Sequence, residues 1–342
     1  MLEAPRLDVA TLLDRIREAY AIDPSSLTFI PSYDARAASY RVVCRDGHPY
    51  FLKVRFGALD DAGLVASRFL ADRDIGSVMA PLPTASSSLS SSSEDHSLVL
   101  YPFVAGRSAS VAGMTEDQWR SFGSTLRAIH AADVPEPIRR GLKVEGFDLP
   151  CGMAVRHLLE LVEARGFESR AAFRLARFWK DNRGTIEQIL ARAESLGALL
   201  RSKSFESVLC HGDIHAGNVL VGDDGRIHLV DWEAPLIAPS ERDLLFVLGS
   251  LIARAVQPAE ELLFFDGYGP VDVDPDAIVY YRYERVCEDL AEFGRSVFLD
   301  PHVSESVRAE EAELAMGFFA PGEIIDTAET VTLRSPAIRP RA

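Results

Sequence analysis

The chain has 342 residues, 47% of them hydrophobic, which is enough for one large or two medium cored domains. Its 36 Lys+Arg against 51 Asp+Glu leave a net charge of −15, which disfavours nonspecific binding to nucleic acid or anionic membranes and suits a cationic partner. Cys44, Cys151, Cys210 and Cys287 contain no C-x-x-C pair, which speaks against a zinc knuckle or a disulfide scaffold and suits a reducing cytoplasm.

The N-terminal stretch MLEAPRLDVATLLDRIREAY carries acids and a helical stripe (Leu7, Leu12, Leu13, Ile16) where a secretory signal would carry a basic and then an apolar block. SYRVVCRDGHPYFLKVRF reads as two strands around an Asp46-Gly47 turn, with Lys53 in the second strand. DDAGLVASRFLADRDI continues as a helix. TASSSLSSSSEDHS, residues 84–97, is low-complexity serine and is expected to be a flexible, expanded connection between strands. SLVLYPFVAGR leaves its strand through Pro102 and Gly106 and reads as a linker.

TEDQWRSFGSTLRAIHAA opens on a Thr115/Gln118 capping box, with Trp119, Phe122, Leu126 and Ile129 on one helical face. Residues 153–203 are helical in pattern, and DPDAIVYYRYERVCEDLAEFGRSVF is a further long helix. The apolar run LLFVLGSLIA, ten residues between Asp243 and Arg254, is too short to span a bilayer and reads as a buried helix. RSPAIRPRA should fray. No internal repeat is present. The layout is α+β: a small strand-rich lobe over residues 1–103, a larger mostly helical lobe over 104–320, and a flexible tail over 321–342.

The chemistry concentrates in CHGDIHAGNVLV, residues 210–221. NVLV and RIHLV are strand-like, and GDDG between them is a hairpin turn. Folded about Asp223-Asp224, the hairpin returns Asp231 to within a residue pair or two of Asn218, while Asp213 hangs on the preceding loop. Two oxygen donors with a carboxylate beside them suit a hard cation such as Mg²⁺, which commonly shares substrate phosphates. D-x-x-x-x-N followed by an Asp after a short hairpin is the spacing of the protein-kinase-like phosphoryl-transfer site, and a strand lysine ahead of a helix, as at Lys53, is its companion for the nucleotide phosphates. Two other readings compete. His211, Asp213 and His215 form an H-x-D-x-H run that could ligate a metal in a hydrolase, and the stretch could be a polar turn without chemistry. The metal reading needs further ligands that the other histidines do not supply, and the polar turn leaves Asp231 and Lys53 without a purpose.

VLCHGDIHAGNVLV with IHLVDWEAPLIAPSERDLLFV resembles the aminoglycoside phosphotransferases, a family that includes choline-kinase-like enzymes. YFLKVRFG, LVLYPFVAGR, FFDGYG and YYRYERVCEDLAEFG make the chain most similar to the spectinomycin phosphotransferases, from about residue 10 to about residue 315. The resemblance implies a bilobal protein-kinase-like fold and an ATP- and Mg²⁺-dependent enzyme that phosphorylates a hydroxyl. It implies that Asp213 is the catalytic aspartate and that Asn218 and Asp231 are the Mg²⁺ ligands. Lys53 would take the nucleotide phosphates, paired with Asp61 or else Asp60. Tyr101, Pro102, Phe103 and Val104 would form the hinge that binds adenine. His211 would brace the loop, and Asp243 would be a buried structural acid. The nucleotide-covering loop FIPSYDARAASY departs from the kinase pattern in lacking glycine, and Asp231 is followed by Trp232-Glu233, so that Glu233 adds a carboxylate near the metals.

Only eleven residues separate Asp231 from Asp243, which leaves no room for an activation loop and peptide platform. A small acceptor is expected, with no nucleic-acid, membrane or obligate protein partner. On the long helix Tyr283, Val286, Leu290 and Phe293 share an apolar face, while Glu284, Glu288 and Glu292 stack on the other. This second face is either solvated or a wall for a cationic substrate made of Glu284, Glu288 and Asp289. Spectinomycin, with two secondary methylamines, fits the latter. The alternatives are another aminoglycoside, choline, homoserine or a fructosamine, and, from another class, an inactive nucleotide-binding scaffold, which the intact Lys53, Asp213, Asn218 and Asp231 oppose.

Overall fold

Tyr40, Val42, Leu52, Val54, Leu98 and Leu100 lie on three strands and are buried at every second position, and this period of two builds the sheet that carries Lys53. The computed structural model describes residues 4–32, 36–93 and 95–341. The chain begins with α1 (Val9–Tyr20), β1 (Pro24–Ile30), β2 (Ala37–Cys44), β3 (Pro49–Phe56) and α2 (Ala62–Ala71). Then come β4 (Ser91–Ser92), β5 (His96–Pro102), β6 (Gly106–Ser108), α3 (Ala109–Ala112), α4 (Glu116–His130), α5 (Glu136–Gly141) and β7 (Lys143–Val144). A helical block follows: α6 (Gly152–Ala164), α7 (Arg170–Asp181) and α8 (Arg183–Leu200). β8 (Val208–Cys210), a 3₁₀ turn (Ala216–Asn218), β9 (Val219–Gly222), β10 (Ile227–Leu229) and β11 (Leu236–Ala238) carry the motif region. The chain closes with α9 (Glu241–Leu244), α10 (Pro258–Tyr268), β12 (Val271–Val273), α11 (Pro275–Leu299), α12 (Glu305–Gly317), α13 (Ile324–Thr327) and β13 (Ile338–Pro340). Backbone contacts divide it into two units, residues 1–143 with 211–237, and residues 144–210 with 238–342.

In the first unit an antiparallel sheet of order β1-β2-β3-β5-β4 is covered by α1. Asp8 caps α1 by accepting from the Ala10 and Thr11 amides, and Leu12, Ile16 and Tyr20 point from it into the sheet core. The Tyr20 hydroxyl donates to Leu98 O at 3.1 Å and accepts from Leu100 N at 3.2 Å, so its one buried polar group is fully used. The β2–β3 hairpin turns at Asp46-Gly47 as its sequence indicates, with Gly47 at φ +85°. A second sheet, β10-β9-β6, holds the motif hairpin. Gly106, read as part of a linker, opens β6 opposite Gly222, and a Cβ there would lie 2.2 Å from Val221 O. The capping box at Thr115/Gln118 forms as expected, and α4 buries Trp119, Phe122, Leu126 and Ile129.

The Ser-rich stretch has more structure than its composition suggests. Ser91–Ser92 pair with β5 as an edge strand, Thr84 and Ser88 close a turn, and Arg15 donates to Ser91 O at 3.1 Å. Serine hydroxyls and backbone, with little apolar surface, do this work through hydrogen bonds. The glycine-free loop expected over the nucleotide includes residues 33–35, which lie outside the described residues.

The second unit is helical around α11, which is buried on nearly every side from Ala277 to Ala291. Two expectations are corrected here. The first half of the apolar run after Asp243, Leu244 to Leu248, is buried and Leu251 and Ile252 are half-buried, but only α9 is helical and turns continue it to Gly249 (φ +60°). That irregular backbone is satisfied by side chains: Glu261 accepts from Gly249 N at 3.2 Å, and Arg282 donates to Leu248 O at 2.6 Å. The expected loose tail is tied in. Arg282 also donates to the carbonyls of Thr327, Ala328 and Thr330, Arg334 pairs with Glu261, and β13 lies parallel to β12. Among the described residues no helix is long and apolar enough to cross a membrane.

Candidate active site

The motif hairpin registers Leu229 against Val219, and Val230 N donates to Asn218 O at 3.0 Å. Asp231 therefore follows directly after the residue opposite Asn218, as the turn chemistry predicts. Upstream, Gly212 turns the chain at φ +84°, where a Cβ would lie 2.3 Å from Ala234 O. Asn218 Nδ2 donates to Asp213 O at 2.7 Å and to Asp213 Oδ2 at 3.3 Å, which closes the loop and aims the Asp213 carboxylate. His215 caps the 3₁₀ turn by accepting from Gly217 N, and its Nε2 stands 3.6 Å from Asp213 Oδ2.

His211 is fully buried and braces the loop. Its Nε2 meets Val230 O at 3.0 Å, its Nδ1 accepts from Asp213 N at 3.3 Å, and its ring packs on Trp232 with centroids 4.5 Å apart. With both ring nitrogens on the backbone it does not act with Asp213 and His215 as a metal triad. Asp231 sits at φ +66°, a left-handed conformation uncommon for aspartate and typical of a residue held for a purpose.

Lys53 lies in the middle of the sheet, on β3 between Ser39 and Val99. Its ammonium pairs with Asp231 Oδ1 at 3.0 Å and with Glu233 Oε1. Burial alone would lower the lysine pKa, but the charges of Asp231 and Glu233 outweigh it and hold the group above its ordinary value. Lost hydration likewise pushes Asp231 up, and the Lys53 charge outweighs it, so the carboxyl titrates below its ordinary value. Lys53 and Asp231 therefore stay charged together around neutrality.

The partner anticipated for Lys53 is corrected: Asp61 is exposed at the N-cap of α2, and Asp60 accepts from Ala62 N, while α2 itself contains no acid. Glu233, assigned from sequence only to the metal neighbourhood, and Arg55, which was not singled out, complete the cluster. The signal for Arg55 was its place two residues from Lys53, on the same strand face. Tyr101 and Pro102 end β5, and Phe103 and Val104 follow, with the Arg41 guanidinium 5.0 Å over the Phe103 ring and Ala105 O accepting from Asp223 N.

In the other unit, Glu284 is only 3% exposed and so is not part of a solvated face. Arg242 pairs with it and reaches Glu288 at 3.5 Å, and Tyr280 donates to it at 3.3 Å. Burial raises the Glu284 pKa to about 7 against the pull of Arg242, with Glu288 adding to the rise. Asp289 pairs with Arg285 at 3.1 Å, and burial raises its pKa to about 6. Asp243 is fully buried in α9.

An antiparallel sheet bearing a strand lysine, an Asp-x-x-x-x-Asn loop and a hairpin-borne aspartate, joined in sequence to a helical remainder, is the architecture of the protein-kinase-like phosphotransferases. Residues 32–280 match the model of the phosphotransferase enzyme family (APH), and the chain belongs to that family. Spectinomycin phosphotransferase APH(9)-Ia, solved with ADP and spectinomycin, is similar at 29% identity and a TM-score of 0.84, over 95% of this chain and 98% of that one. Its AMP-bound complex gives 28% identity and a TM-score of 0.81, over 94% and 98%. Amicoumacin kinase hAmiN, solved with AMP-PNP, Ca²⁺ and its ligand, shares the fold at 18% identity and a TM-score of 0.62, over 97% and 96%. None of the curated proteins matches the sequence. The protein is a phosphotransferase with an alcohol group as acceptor, and ATP is the nucleotide its relatives support.

Proposed function

We propose that the enzyme transfers the γ-phosphoryl group of ATP to a hydroxyl of spectinomycin and so inactivates the antibiotic. The observation that carries this is the likeness to spectinomycin phosphotransferase at 29% identity over 95% of the chain, with Lys53, Asp213, Asn218 and Asp231 all in place.

Asp213 accepts the proton of the acceptor hydroxyl, its carboxylate aimed by Asn218 and His215. Lys53 binds the nucleotide phosphates, and the backbone of Tyr101 to Val104 receives the adenine. Mg²⁺ fits the donor set, because Asn218 Oδ1 and the Asp231 carboxylate are both hard oxygens and Nδ2 is already committed to Asp213. Bound there, the ion would neutralise phosphate charge as it develops. Among the acids expected to meet a cationic acceptor, Glu288 is the more open: its side chain is 36% exposed and stands 3.5 Å from Arg242 at its nearest, whereas Arg242 pairs closely with Glu284 and Arg285 with Asp289.

The test is ADP release with a panel of acceptors: spectinomycin, kanamycin, choline and homoserine. Turnover on spectinomycin above the others is expected. Activity on kanamycin with none on spectinomycin would move the enzyme to the aminoglycoside alternative and leave the Asp213 chemistry standing.

A further inference from the structure

Lys53 and Arg55 stand two residues apart on β3, so their side chains leave the same face of the strand. Both end on Glu233. Arg55 Nη1 lies 2.6 Å from each of its two oxygens, and Lys53 Nζ shares Oε1 while reaching Asp231 at 3.0 Å. Two strand cations thus converge on one carboxylate, and the four charges of Lys53, Arg55, Asp231 and Glu233 cancel. A carboxylate gripped through both oxygens by an ammonium and a guanidinium presents to them what an edge of a phosphate would.

The carboxylate is also the one placed to leave. Glu233 keeps 40% of its side chain exposed, against 13% for Lys53 and 18% for Arg55. Its exposed side chain has water to turn into, while the cations stay on their strand. Asp231 remains on Lys53 when it does.

We propose that Glu233 is the internal counter-anion of a two-cation phosphate site formed by Lys53 and Arg55. In the nucleotide-free protein it holds both side chains aligned. On binding, the nucleotide's phosphates replace it, so Arg55 is a second phosphate-binding residue and Glu233 sets the cost of admission. This rests on the nucleotide-using function proposed above, but not on the identity of the acceptor.

The experiment is calorimetric binding of ADP in chelator at low ionic strength, where no metal ion can mask the exchange of charges. Glu233→Gln should bind ADP roughly three- to tenfold more tightly than the unaltered protein, and Arg55→Gln should bind it more weakly by a similar factor. In the Arg55→Gln background the gain from Glu233→Gln should shrink below about twofold, because no second cation remains to be freed. Asp60→Asn, which removes a negative charge held on the Ala62 amide outside the cluster, should change nothing. If Glu233→Gln does not fold, Glu233→Asp, which keeps the charge and shortens the reach, should tighten ADP in the same direction. Unchanged or weaker binding by the Glu233 variant would overturn the inference while ADP binding by the parent upheld the nucleotide reading. An equal gain in the Arg55→Gln background would also overturn it, since that is general relief of repulsion and not a shared site. A parent protein that bound no ADP would bring down both readings.

Discussion

Gly63, in the first turn of α2, packs against the chain that carries Asp231. A Cβ built on it would stand 1.6 Å from Trp232 O and 2.9 Å from Trp232 C. Gly63→Ala sets two effects against each other. Alanine in a helix gains up to about 1 kcal/mol over glycine, while a methyl driven into a backbone carbonyl forces a shift of more than an ångström, and such overpacking costs about 1–3 kcal/mol. The steric term wins, because the atom struck is backbone and Asp231 on one side of it is already held at φ +66°. The expected loss is about 3–8 °C in Tm for a unit of this size. The displacement also shifts Asp231 and Glu233, which flank the struck carbonyl, out of their register with Lys53, so kcat should fall by about ten- to a hundredfold. Differential scanning calorimetry and an ADP-release assay on the same preparation read both effects. A variant with unchanged Tm and turnover would refute the claim that α2 positions the Asp231 loop through this contact.

Asp213→Asn should lower kcat by about a hundredfold or more while ADP affinity by calorimetry stays within about twofold; near-parental turnover would remove Asp213 from the chemistry. Asn218→Ala and Asp231→Ala should each raise the Mg²⁺ concentration needed for half-maximal rate, Asp231→Ala being nearly inactive, whereas stoichiometric zinc and activity independent of ATP would sink the kinase assignment. Glu284 and Asp289 have folded pKa values raised to about 7 and about 6, so their contribution is full below the ordinary carboxylate range and is lost as pH rises through those values. Tm should therefore decline between about pH 4 and 7, and Glu284→Gln should flatten the decline; a parental Tm that rises across that window contradicts the assignment. The depressed Asp231 acts with the opposite sign and only in acid, outside that window. Deleting residues 86–95 removes β4 and the Arg15–Ser91 hydrogen bond, so Tm should drop by a few degrees with kcat kept within about twofold, and an unchanged Tm would show that the edge strand contributes nothing.

How much of this was legible in the sequence follows from distance along the chain. The hairpin register that brings Asp231 beside Asn218 spans fewer than fifteen residues and is set by turn chemistry, so counting residues recovers it. The α4 capping box and the Asp46-Gly47 turn are local in the same sense. The partner of Lys53 is not. Glu233 lies 180 positions away, and nothing in the periodicity of β3 says which carboxylate will arrive there, so expectation fell on the nearest acids, Asp60 and Asp61. The acid stripe of α11 misled for a related reason. Glu284, Glu288 and Glu292 share one side of the helix by spacing, and solvent was the default neighbour for it. The structure instead sets Arg242 against that side, and its guanidinium lets Glu284 be buried. Periodicity reports which residues share a face, but not what that face meets. The same gap explains the apolar run after Asp243, whose buried turns are possible only because Glu261 and Arg282, from α10 and α11, supply the hydrogen bonds that a helix would have made internally. In each case the missed element is a charged side chain reaching in from far along the chain. The sequence motif tells which atoms can move a phosphoryl group, and such long-range partners decide how tightly those atoms are held beforehand.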